Sequence, residues 1–595
     1  MTATILALDN HNPKQSGKNG HMEYGWSNSI QERILQFSFQ LTRTNETVTQ
    51  SLSIVLRDLL TFLKSKVVAK TNFTPFSIAE REIARGHLSI LYRMIGHTRD
   101  IICGKGEYNL TYMMIYTWYD FFPELAQFAL LCLVDLGDKK VHQYGSWKDI
   151  KYFCEYCNNQ GPAGLYHPLI AYAIEIMNSQ LKRDDFILTN VDTNVDTSVD
   201  ANVYDISLVA KWIPREKSSF GWLYEAFATN YFYNYVVTAI TPEGKRKAIL
   251  KCKTAYRKLL SELNRKIDTL QIKQCGHLWG DIDFNKVTSI SLSKQKKAFL
   301  NIKKDGTVRY PDDEDRIICA ENFQERIKTA LKGEVEMKGK RLGMADFTKQ
   351  ARELLINGNQ DEIDLLNSQW RDSSCQNKAL GKMIAMVDVS GSMEGVPMEV
   401  AIALGIRIAE KSSIGKRVMT FSSSPTWINL EPYPDFVSKV AVVSKAPWGM
   451  NTNFHAALDL ILDAIIESKL EPEDVQDLVL VILSDMQMDS GDRCNKTVLY
   501  DIMKEKYEDA GIRVHGKPYK PPHILFWNLS STYGFPSLSN QPNCSMMSGF
   551  SPVLLNIFCE NGLEALQSCT PWSILEQTLE NDRYKVMSNK LNEYI

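Results

Sequence analysis

Asp388, Ser390 and Ser392 place one carboxylate and two hydroxyls two residues apart in the run Met386-Val387-Asp388-Val389-Ser390-Gly391-Ser392-Met393. A glycine-containing loop of this kind can curl until all three oxygens face one point. An all-oxygen set suits a small hard cation, because Mg²⁺ takes about six oxygens in near-octahedral geometry and keeps several waters. Two further oxygens are expected from distant loops. Thr452 lies in Gly449-Met450-Asn451-Thr452-Asn453, just before a helix start, and Asp485 comes after an apolar run in Leu483-Ser484-Asp485-Met486. The candidate ligands are therefore Asp388, Ser390, Ser392, Thr452 and Asp485, and the ion is Mg²⁺ or Mn²⁺.

Other chemistries compete for the same loop. Ser and Asp also cap helix N-termini, which would need no metal. A phosphotransferase loop of the DxDxT kind wants a second carboxylate two residues after the first, and Ser390 stands there. A metal site that has lost its ligands does not fit either, since all five oxygens are present. Elsewhere the histidines show no metal-ligand spacing. Gly104-Lys105-Gly106 lacks the preceding strand and the spacing of a phosphate loop. Cys154 and Cys157 have CxxC spacing with no second pair nearby, so they read as two thiols in a helical stretch. No catalytic set emerges, and an enzyme is not expected.

The elements that must position these oxygens are short strands alternating with helices. Met383–Val387 and Leu478–Leu483 are apolar runs too short for helices and read as buried strands, with Arg417–Phe421 and Ile524–Trp527 extended. Pro397–Lys411, Asn453–Ser468 and Cys494–Ala510 read as helices between them. That alternation means a mostly parallel sheet covered on both faces, a doubly wound α/β domain whose ligands sit at the carboxyl ends of the strands. Ahead of it, from about Gln31 to Leu181 and from Tyr204 to about Asn367, the pattern is helical, consistent with an α-solenoid or bundle. Asn190–Val203 repeats VDTN, VDTS and VDAN and reads as a low-complexity insertion. The expected divisions are a disordered 1–28, an α-helical 29–375 interrupted at 190–203, and an α/β domain over 376–595.

The 595 residues carry 68 Lys+Arg against 70 Asp+Glu, a net charge of −2. Affinity for nucleic acid would thus need a local patch. One exists between Glu243 and Lys304, where 16 basic residues face five acidic ones, an excess of 11. Lys245, Arg246, Lys247, Lys251, Lys253, Arg257 and Lys258, on a long helix from Glu243 to about Leu270, are the candidate phosphate contacts. The competing reading is a solvated helix face balanced by acids elsewhere in the fold. The 12 scattered cysteines suit a reducing compartment. The polar N-terminus has no signal-peptide core, and no apolar run approaches the roughly 20 residues of a membrane helix. The protein is expected in the cytoplasm, with no membrane partner.

The metal loop with Thr452 and Asp485 closely resembles the metal-ion-dependent adhesion site of von Willebrand A domains. In that family an acidic side chain of a partner fills the open coordination position. Many members have an aspartate after the threonine, where this chain has Asn453. Arg99-Asp100, Gly104-Lys105-Gly106-Glu107 and Tyr144-Gly145-Ser146-Trp147-Lys148-Asp149 resemble the start of the TROVE module. In the Ro autoantigen family that module is a ring of HEAT-like helical hairpins closed by a von Willebrand A domain, and it binds structured and single-stranded RNA. The likeness extends to a group of unassigned function in plants, fungi and large DNA viruses. That group shares segments like Lys211-Trp212-Ile213-Pro214-Arg215-Glu216-Lys217 and a tryptophan lead-in, here Gln369-Trp370. The resemblance implies an N-terminal all-α HEAT-like solenoid or ring and a C-terminal doubly wound, Rossmann-like von Willebrand A domain. It implies a non-enzymatic RNA-binding scaffold that engages a protein carboxylate through its metal. The alternative is a protein–protein adaptor or structural component, such as a virion constituent, with no RNA role.

Overall fold

A computed structural model describes residues 12–67, 77–138, 140–190, 206–421, 425–447, 454–475, 477–487, 499–560, 566 and 568–595. The chain has a helical N-terminal part and a C-terminal six-stranded sheet, so the expected combination of α and α/β architecture is observed. Two compact units are present. One joins residues 1–113, 288–296 and 324–595, and the other joins 114–287 and 297–323. The change from helix to strand pattern in the sequence therefore does not coincide with the division of packing.

The N-terminal stretch departs from the expected disorder over its described part. Lys14–Ser16 (β1) and Met22–Tyr24 (β2) form an antiparallel hairpin. Tyr24 exchanges both backbone hydrogen bonds with Phe535, at 2.9 and 2.8 Å. Pairing with a remote loop orders a segment whose own composition gives it no core. The insertion, from residue 191 onward, lies outside the described residues.

In the same unit the large sheet is made of β3 (Met383–Asp388), β4 (Arg417–Phe421), β5 (Thr426–Asn429), β6 (Val479–Ser484), β7 (His523–Asn528) and β8 (Cys544–Ser548). Its spatial order is β5-β4-β3-β6-β7-β8. All neighbours pair in parallel except β4 and β5. An antiparallel strand is tolerated there because β5 is an edge, joined to β4 by a short connection. Every residue of β3, β6, β7 and β8 is buried, as strands covered on both faces must be. Met383, Ala385 and Val387 join Val479, Val481 and Leu483 in one core under the Val396–Lys411 and Met344–Asn357 helices. The alternate residues Ile384, Met386, Leu480 and Ile482 are buried on the opposite face. Starting from β3, the chain builds outward through β4 and β5, then returns to β6 on the other side of β3. The crevice between the carboxyl ends of β3 and β6 is thus the topological switch point, where open α/β sheets bind ligands.

Several of the segments singled out in the sequence have structural roles in these units. Asp149 accepts from the Ser146 backbone amide at 2.8 Å and starts the Trp147–Gln160 helix as a capping box. Trp370 stacks on Phe436 at 3.9 Å, donates to Glu410 at 2.9 Å and lies under the Arg407 guanidinium, 4.1 Å from the ring centre. Lys105 is buried and donates to the carbonyls of Ser38 and Leu41 at 3.0 Å and to the Ser548 hydroxyl at 2.6 Å, tying the Ile30–Gln40 helix to β8. Burial pushes its ammonium down to about 7. Lys105→Met strips donors from buried acceptors, so urea unfolding is expected to show a loss of about 2–3 kcal/mol at neutral pH. A lysine depressed in the folded state binds fewer protons there than when unfolded. Wild-type stability therefore rises from about pH 7 toward 10, and the deficit of the variant should widen over that window.

In the second unit the Pro168–Asn190, Tyr224–Tyr231 and Pro242–Ile267 helices pack on one another. Asn178 joins all three, donating to the Phe227 carbonyl at 3.0 Å and accepting from the Tyr256 hydroxyl at 2.8 Å. Cys154 and Cys157 are buried in the Trp147–Gln160 helix, and burial pushes the Cys154 thiol up to about 12. They are the inert pair that a helical stretch implies. Among the described residues no helix is long and apolar enough to cross a membrane.

Candidate metal centre

Register brings the carboxylates together. β3 and β6 are parallel neighbours with Val387 opposite Leu483, so Asp388 and Ser484 end the two strands side by side and Asp485 enters the same crevice. Asp388 is fully buried and accepts from the Ser484 hydroxyl at 2.6 Å and from the Ser390 amide at 2.9 Å. The Ser390 and Ser392 hydroxyls lie 3.2 Å apart, and the Ser392 hydroxyl is near enough to Asp485 to pull its carboxyl down. Asp485 is 1% exposed and accepts from the Gln487 amide at 3.1 Å. Met486 between them adopts a left-handed backbone at φ 62°, a conformation held by the tight turn its amide makes onto the Ser484 hydroxyl at 3.0 Å. Four of the five expected ligands, Asp388, Ser390, Ser392 and Asp485, are thus neighbours. Thr452 lies outside the described residues.

The electrostatics are those of two negative charges held out of water. Burial first, and then the charge of Asp485, pushes the Asp388 carboxyl up to about 7. Burial also raises Asp485, against the pull of the Gln487 amide, the Ser392 hydroxyl and the charge of Lys18. Among the described residues no Lys or Arg forms an ion pair with either carboxylate. Two buried carboxylates with adjacent hydroxyls and no paired cation are an all-oxygen donor set short of positive charge, which fits a hard divalent ion. The loop does not serve as a helix cap. Ser390 makes no side-chain cap bond to the short turn Gly391–Met393, and the next helix, Val396–Lys411, starts from Gly395. Ser484 was not among the expected residues; the signal for it is register, since the parallel pairing of the two apolar runs sets it against Asp388.

Residues 382–592 match the family described as "Domain of unknown function (DUF7788)" and residues 165–382 match "Domain of unknown function (DUF2828)". The two matches meet at Lys382, directly before β3. The chain is also similar to "Uncharacterized protein L728" of Acanthamoeba polyphaga mimivirus, 28% identical over 507 residues that cover 83% of this chain and 79% of that one. The expected likeness to large-DNA-virus proteins is therefore found. It spans most of the chain.

The seven basic candidates separate on the structure. All lie on the Pro242–Ile267 helix, which buries Cys252, Tyr256, Leu259, Leu260 and Leu263. Lys253 pairs with Glu216 at 2.6 Å, and Arg257 reaches the same carboxylate at 3.8 Å. Lys247 pairs with Glu243 at 2.8 Å, one turn back. Lys251 lies over the Tyr235 ring, 4.0 Å from its centre. Lys245, Arg246 and Lys258 are exposed and have no ion pair among the described residues. Acids within the fold thus answer part of this charge run, and Glu216 comes from the Lys211–Lys217 segment that the resemblance singled out.

Proposed function

We propose that the α/β part is a von Willebrand A-type domain that binds Mg²⁺ or Mn²⁺ through Asp388, Ser390, Ser392, Asp485 and Thr452 and captures a protein partner by an acidic side chain. The observation that carries this reading is the meeting of Asp388, Ser390, Ser392 and Asp485 at the switch point between β3 and β6. The strand order and the absence of a capping role for the loop support it. When bound, the ion would supply an open coordination position for the partner's carboxylate. Asp388 and Asp485 provide the negative charge, Ser390 and Ser392 the neutral oxygens, and Ser484 holds Asp388 in its orientation. The role assigned to the site is adhesion and not catalysis. Titration of the purified chain with Mn²⁺ by calorimetry tests it, with one site per chain expected and loss of binding on adding EDTA. Absence of saturable binding would sink the reading.

The helical part is proposed as the HEAT-like, RNA-binding half of the scaffold, in the cytoplasm or a virion. The exposed Lys245, Arg246 and Lys258, which make no ion pair among the described residues, favour phosphate contacts. Each phosphate neutralised releases counterions, so affinity for a single-stranded RNA should fall steeply with salt. Replacing these three with glutamine is expected to lower the slope of log K against log salt by about 2. A chain that binds no RNA, or binds it independently of salt, leaves the adaptor alternative with its metal-dependent partner alone.

A further inference from the structure

The hairpin places its turn against the loop that carries Asp485. Its stem is anchored by the Tyr24–Phe535 bridge and by Gln15, which donates to the Tyr533 carbonyl at 3.3 Å. Glu23 packs so closely on Gly534 that a Cβ there would sit 2.2 Å from the carboxyl carbon. From this stem the turn Gly17-Lys18-Asn19-Gly20 reaches the metal loop, where the Asn19 amide donates to the Gln487 carbonyl at 2.9 Å. The amide of that same Gln487 holds the Asp485 carboxylate. Lys18, beside Asn19, is exposed and is the cation whose charge acts on Asp485.

We infer that this turn is a cis-acting competitor for the cation. Asn19 fastens it to the Asp485 loop, and Lys18 brings one positive charge to a site that the proposed function assigns to a divalent ion, so that docking of the turn and binding of the ion oppose each other. The inference rests on that assignment. The opposition is reciprocal: whatever affinity Lys18 removes from the ion, the ion removes from docking of the turn. Because Lys18 is solvated, its field is screened and the coupling is modest, roughly three- to tenfold in affinity, and it shrinks as salt rises.

The test is calorimetric titration of the full chain with Mg²⁺, in parallel with Lys18→Gln and Lys18→Glu, at low and at high salt. Both substitutions lie on an exposed turn and leave every proposed ligand in place. Affinity is expected to rise about threefold for glutamine and about tenfold for glutamate at low salt, with the three chains converging at high salt. Binding in the wild type with equal affinity in all three chains overturns the competitor and leaves the metal site standing. No binding in any chain removes both. Tryptic cleavage after Lys18 gives the reciprocal readout: saturating Mg²⁺ is expected to speed it several-fold, and an unchanged rate overturns the coupling.

Discussion

Asp388→Asn is expected to invert its effect on stability according to whether a divalent ion is present. In EDTA the wild-type chain holds two carboxylates in a crevice that excludes water, with Asp388 fully buried and Asp485 nearly so. The amide keeps the shape, can still accept from the Ser390 amide, and removes one of the two like charges. The variant should therefore melt at or above the wild-type temperature. With Mg²⁺ at about 100 times its dissociation constant, the wild type gains about 2.7 kcal/mol from mass action alone. The variant, stripped of its central anionic ligand, should gain almost nothing, so the order of the two melting curves reverses. Asp388→Ala is the necessary companion. It leaves the Ser484 hydroxyl and the Ser390 amide without their acceptor and should be destabilised under both conditions by about 1–3 kcal/mol. Thermal melts of the three chains with Mg²⁺ and with EDTA decide the matter. A loop that only shaped the backbone would make asparagine neutral or harmful in both buffers, and no crossing would appear.

The Asp388 loop is legible in the sequence because strand ends are legible. Met383–Val387 and Leu478–Leu483 are apolar throughout, which marks buried parallel strands, and a parallel sheet gathers the residues just past its strands on one rim. The same pattern puts Asp388 and Asp485 on that rim. It did not find β5 or β8. Thr426–Asn429 is an edge strand with only Ile428 buried, and Cys544–Ser548 is too short and polar to stand out, so pairing with established neighbours makes them strands. Nor did it find the hairpin, whose order comes from Phe535, more than 500 residues away along the chain. The basic helix shows a different limit. Its existence is readable, but charge along a sequence does not reveal that Glu216 folds back to answer Lys253 and Arg257. Patterns within one element carry well; pairings between elements do not.

Asp100 is the sharpest case of such a pairing, and it carries the second large effect. Adjacent to Arg99 at the end of its helix, it is the buried end of a bidentate ion pair with Arg583, at 2.7 Å for both bonds. It also accepts from the Tyr584 hydroxyl at 3.1 Å and from the amides of Ile102 and Cys103. The side chains of Asp100 and Arg583 are 0% and 14% exposed, so this is an interior bridge between the end of the Ile78–Arg99 helix and the start of the Lys585–Tyr594 helix that packs on it. His97 cannot stand in for Arg583, because burial holds its imidazole neutral, pushed down to about 3. Removing one partner leaves the other charged and desolvated, which costs about 3–5 kcal/mol for buried pairs, against about 1 kcal/mol or less at a surface. Asp100→Ala should therefore open the C-terminal helix locally. Amide hydrogen exchange across Lys585–Tyr594 is expected to quicken by roughly 100- to 1000-fold while that of β3 and β6 changes little. Replacing both partners by apolar residues, Asp100→Leu with Arg583→Met, should recover most of the loss, because the penalty lies in the orphaned charge. Exchange that stays within a few-fold of wild type in Asp100→Ala would show that the bridge is worth no more than a surface pair.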